Sequence, residues 1–152
     1  LLLAHPVCLL AIVVLLANDH ILKAAYPGAV TGKLSDVAGL VFFPCLLQGV
    51  WRYVRPGSPH SERRQLWIAS IATALVFGSI QILPWAADAY RVGLAALQWP
   101  ALSVAALVQG DGWPSLRPVH LVEDATDLLA LPAAFTWLLL VGRGASSSAD
   151  LE

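Results

Sequence analysis

Apolar residues in this chain gather into long blocks instead of alternating singly with polar ones. The blocks are residues 1–17, 36–54, 66–83 and 124–141. The second carries no charge between Asp36 and Arg52, the third none at all, and the fourth none after Asp127. A helix needs about 20 apolar residues to cross the hydrocarbon core of a bilayer. Four such blocks in 152 residues leave too little polar chain to cover them in water. The pattern predicts an all-α membrane protein, a compact bundle of four transmembrane helices. Residues 1–143 form a single integral membrane domain on this reading, and 144–152 a disordered tail or cloning remnant.

Residues 84–123 break the pattern. The stretch 91–109 is apolar, but Pro100 interrupts it, and Trp85, Tyr90, Trp99 and Trp113 crowd it with rings that favour the membrane interface. An interfacial or re-entrant helix is expected there. Between the second and third blocks stand Arg52, Arg55, Arg63 and Arg64 against the single acid Glu62, around a Pro56-Gly57-Ser58-Pro59 turn. Four arginines in one short loop mark a cytoplasmic side and put residues 18–35 outside. The four helices then make two like-oriented hairpins. Each hairpin's inward-going helix carries the same frame: Asp36-Val-Ala-Gly-Leu-Val-Phe-Phe-Pro44 and Asp124-Ala-Thr-Asp-Leu-Leu-Ala-Leu-Pro132. An internal repeat follows from that frame. Pro44 and Pro132 are expected to kink the two helices at equivalent depth.

Composition sharpens the picture in a few places. The mean hydropathy is +0.71, and charged residues are 12% of the chain, against roughly 25% in soluble domains. A net charge of −1 offers no basic face for nucleic acid. Cys8 and Cys45 lie in apolar blocks with no CxxC or Cys/His spacing, so buried free thiols are expected, not a redox or zinc motif. The first block is followed by Asn18-Asp19-His20 and not by a small-residue cleavage site, so it reads as a mature span rather than a signal peptide. The chain begins at Leu1 without methionine, and a preceding segment is expected.

The chemistry-bearing residues cluster at the outer face: Asn18, Asp19, His20, Lys23, Thr31, Lys33, Ser35 and Asp36, joined from the second half by His120, Glu123, Asp124, Thr126 and Asp127. The candidate ion- or ligand-binding set is Asp19, His20, Lys23, Lys33, Asp36, Asp124 and Asp127. Carboxylates with histidines bind divalent cations or handle protons, and lysines add affinity for polar head groups. Asp36 and Asp124 also stand where helix N-caps belong, with Asp127 completing a capping box. Two carboxylates at a low-dielectric boundary call for a positive partner, and Lys33 is the nearest by sequence. No phosphate loop exists, because Gly28 is misplaced relative to Gly32-Lys33 and Leu34 stands where a hydroxyl residue is needed. His5 precedes Pro6 at the first block's cytoplasmic end and reads as an interfacial histidine.

Asn18-Asp-His-Ile-Leu-Lys23, Thr31-Gly-Lys-Leu-Ser-Asp-Val-Ala-Gly-Leu40 and Asp124-Ala-Thr-Asp-Leu-Leu-Ala-Leu-Pro132 resemble the signatures of a group of uncharacterised bacterial multi-pass membrane proteins. Ala125 stands where that group more often has proline. The resemblance implies a bacterial inner (plasma) membrane and supplies no activity. The layout is also similar to that of small four-helix membrane oxidoreductases, but their paired outer cysteines are absent and their function does not carry over. The leading expectation is a small integral membrane protein whose outward acidic and lysine-bearing site binds a cation, proton or polar ligand, as an accessory subunit. The alternatives are a hydrolase or transferase acting on a lipid or isoprenoid head group, with an aspartate as base or metal ligand, and a purely structural membrane partner. Expected partners are the lipid bilayer and either another membrane protein or a second copy. No cofactor or metal is assigned.

Overall fold

The computed structural model describes residues 2–55 and 59–147. It is 84% helical, and no strand occurs among the described residues. The helices are α1 (Pro6–Ala17), α2 (Ala29–Val54), α3 (Pro59–Ile82), α4 (Pro84–Gln109) and α5 (Thr136–Ser147). A tighter 3-10 stretch, Ala125–Phe135, leads into α5. Residues 56–58 of the expected turn and residues 148–152 of the expected tail lie outside the described residues, whereas 144–147, also expected in that tail, continue α5.

Among the described residues, four helices are long and apolar enough to cross a membrane: Pro6–Ala25, Ala29–Val54, Ser61–Ile82 and Pro84–Gln109. Ala125–Val141 is a shorter apolar helix. The expected number is found, with two roles exchanged. The segment expected at the interface is an unbroken helix of 26 residues, about 39 Å long against a core of about 30 Å. Pro100 removes one amide and leaves the Ala96 carbonyl without its helical donor, but good helix formers on both sides carry the helix through it. With that segment long enough to cross, the ground for two like-oriented hairpins and an internal repeat is gone.

The polar region 18–35 is no loop either. α1 runs into a π-turn, Asn18–Leu22, and then Lys23–Ala25, and α2 starts at Ala29 with Gly28 before it. Only residues 26–28 connect the two. The π-turn inserts one extra residue and swings Asn18 inward to complete burial.

The chain forms two compact units: Leu1–Phe77 with Thr126–Glu152, and Gly78–Ala125. In the first, α1 packs along α2, and α5 returns to close their core. Cys8, Cys45, Leu66 and Trp137 are fully or almost fully buried together. Both cysteines are free and buried, as expected. Trp137 is the largest fully buried side chain; its Nε1 donates to the Val41 carbonyl at 2.7 Å. That carbonyl sits in the turn loosened by Pro44, whose missing amide leaves the neighbouring Leu40 carbonyl without a helical donor. His5 caps α1, its Nδ1 accepting from the Val7 amide at 3.2 Å, and its ring meets Trp137 edge-on at 5.2 Å. At Gly49 the Leu3 side chain comes to 2.6 Å from where a Cβ would stand, so only glycine fits without a shift. A second cluster joins Leu40, Ala130 and Ala134, with Phe77 and Phe135 against it.

In the second unit α4 ends at Gly110, whose φ of 80° lies in the left-handed region that glycine adopts without strain. The chain then runs extended and is tied to the helix by side chains. Arg91 bridges Asp88 at 2.9 Å and Glu123 at 2.7 Å and donates to the Leu121 carbonyl. Trp99 stacks on Trp113 at 5.8 Å and donates to the Pro114 carbonyl at 3.0 Å.

Candidate functional site

The first unit gathers most of the predicted polar residues at one end. Asn18 is the buried hub. Its Nδ2 donates to the Thr31 carbonyl and to Ser35 Oγ, both at 2.6 Å. Ser35 in turn donates to Asp19 Oδ1 at 2.8 Å, and Asp19 pairs with Lys23 at 2.8 Å, one helical turn on. Thr31 turns its hydroxyl back on the Tyr26 and Gly28 carbonyls at 3.1 and 2.9 Å, closing the start of α2. These bonds lock the short connection between α1 and α2.

Lys33 reaches from α2 to the 3-10 stretch. Its Nζ donates to Asp127 Oδ1 at 2.7 Å and to Thr126 Oγ1 at 2.6 Å. The Asp127 side chain is only 13% exposed and Lys33 is 39% exposed, so this pair lies between a surface bridge and a buried one. Asp36, one turn along α2 from Lys33, is half-buried, and its carboxyl lies close enough to that of Asp127 for the two to repel when both are charged. Two carboxylates this near each other call for a cation or a proton between them. Lys33, Asp36 and Asp127 thus form one coupled cluster drawn from two segments far apart in sequence.

Three expectations change. Asp36 is not a helix cap, because α2 begins seven residues before it, where Gly28 and Thr31 shape the start. Within the first unit the carboxyl beside Asp36 is that of Asp127. Asp124 belongs to the other unit, where its amide donates to Gln81 Oε1 at 3.1 Å. Lys33 is the positive partner as expected, but it bonds Asp127 and Thr126. Asp19 and Lys23 pair with each other, and His20 is exposed beside them. His120 and Glu123 also belong to the second unit, where Glu123 serves Arg91.

Among the described residues, no group of three or more His, Cys, Asp or Glu stands close enough to hold a metal ion. Two carboxyls and an ammonium suit proton exchange or a small polar ligand better than a divalent cation, which takes six or more oxygens. The hub role of Asn18 was not legible from the sequence. Its only signal was an asparagine directly after an apolar block, which reads equally well as the end of a span. Comparison with protein family models, with curated proteins and with solved structures finds no match to this chain.

Proposed function

We propose that this chain is an integral protein of a bacterial inner membrane. Its Asp36–Asp127–Lys33 cluster, on the outer side, binds a proton and exchanges it for a small cation or polar ligand. The closeness of the two carboxyls, one of them bonded to Lys33, carries this reading. With both acids ionised, the three groups sum to −1, and one proton makes them neutral. A half-buried cluster at the edge of a low-dielectric slab favours that neutral state, and a bound cation can take the proton's place. The arginine-bearing connection between α2 and α3 lies at the far end of α2 from Lys33 and Asp36, which fits an outward cluster and a cytoplasmic loop.

Difference infrared spectroscopy of the folded protein across pH tests this. A protonated-carboxyl band is expected, and it disappears in both Asp36→Asn and Asp127→Asn. Absence of such a band at every pH where the protein is folded overturns the reading. A structural role is the second reading, favoured by the bonds from Lys33 that tie α2 to the 3-10 stretch. It predicts that Asp36→Asn leaves the infrared spectrum unchanged.

A further inference from the structure

We propose that the groove between α3 and residues 131–139 seats one acyl chain of an anionic phospholipid, with the lipid phosphate on Arg63. The groove holds about 630 Å³, and its walls are Trp67, Pro132, Phe135 and three leucines, with Arg63 the one charged lining residue. Leu131 to Leu139 spans about 12–16 Å of mixed 3-10 and α rise, close to half of a hydrocarbon core of about 30 Å. That length suits the chain of one leaflet.

Charge selects the head group. Arg63 is exposed and makes no ion pair among the described residues, whereas Arg52 is bound to Glu62 at 2.9 Å. A guanidinium binds phosphate through two parallel hydrogen bonds. The surrounding segment carries Arg52, Arg55, Arg63 and Arg64 against Glu62 alone, a field that favours a net negative head group over a zwitterionic one. The same construction recurs nearby. A groove of about 470 Å³ between α2 and α3 pairs Arg55, also without an ion pair among the described residues, with Trp51 and aliphatic walls. The site uses none of the Lys33 cluster and stands independently of it.

Native mass spectrometry of the detergent-purified full chain, with phosphatidylglycerol or phosphatidylcholine added, provides the test. Arg63→Gln is expected to lose one bound phosphatidylglycerol per protein, with no change in phosphatidylcholine. Leu139→Trp, at an exposed position, fills the groove and loses the same lipid although Arg63 remains. Arg64→Gln makes the same charge change without touching the groove and keeps the lipid. Glycerol 3-phosphate, the head group without a chain, gives no thermal stabilisation. An equal loss in Arg64→Gln reduces the effect to surface charge and overturns the site. Retention in Leu139→Trp, equal binding of both lipids, or full protection by glycerol 3-phosphate also overturns it.

Discussion

The two Asp-x7-Pro stretches have the same frame and different structures. From Asp36 to Pro44 the chain is the interior of a 26-residue α-helix, already two turns old when Asp36 is reached. From Asp124 to Pro132 it is the entry into a tight 3-10 stretch. In the first, proline is fully buried; in the second it is exposed. A shared spacing therefore fixes neither the start of a helix nor the role of its aspartate. What precedes the frame decides. Before Asp36 come Thr31 and Ser35, whose hydroxyls satisfy local groups and let the helix begin early. Before Asp124 comes a proline-bearing extended chain pinned by Arg91.

The stretches are not equivalent, yet they are coupled, since the segment after the second supplies the side chain that supports the first. Trp137 fills the centre of the core and donates to the Val41 carbonyl beside the Pro44 turn. Trp137→Ala is expected to cost about 3–5 kcal/mol through the cavity it leaves. Trp137→Phe, which keeps most of the bulk and removes the donor, is expected to cost about 1–2 kcal/mol. Denaturant unfolding in detergent measures both. If the two variants are equally stable, the hydrogen bond rather than the packing carries the coupling.

The second link is polar. Lys33→Met removes the ammonium bonded to the Asp127 carboxyl, whose side chain is only 13% exposed. A loss of about 1–3 kcal/mol is expected. Adding Asp127→Asn removes the stranded charge and should recover part of it. A double-mutant cycle with zero coupling energy would show that the bridge is surface decoration and that the two stretches are independent at this end.

Much of the architecture was legible. Apolar blocks gave the helical membrane class and three of the four long helices, and the lone pair of thiols read correctly as buried. The failures have separate causes. Pro100 and the aromatic residues around it were weighted as breakers and anchors, but a 26-residue helix tolerates one missing amide. Polar residues 18–35 were read as a loop because a π-turn leaves no trace in apolar periodicity. For the site, residue types pointed to Asp19, His20, Lys23, Lys33, Asp36, Asp124 and Asp127, a set in which Lys33 bonds Asp127 and Lys23 bonds Asp19. Whether Asp36 caps a helix depended on where that helix starts, the least reliable feature of any sequence reading.

The smallest expected effect isolates what distinguishes the stretches. Pro44→Leu and Pro132→Leu both restore a backbone amide and both add side-chain bulk. Their common part, relief of the proline, cancels in the comparison. What remains is burial. Pro44 is among the fully buried side chains, so its larger replacement must push on Leu40, Val41 and the core behind them. Overpacking of that kind typically costs about 1–3 kcal/mol. Pro132 is exposed on the groove wall, and a surface change there is expected to stay within about 0.5 kcal/mol. Unfolding midpoints of the two variants in the same detergent give the difference directly. Equal midpoints would mean that the two prolines sit in equivalent surroundings, restoring the repeat that the helix boundaries argue against.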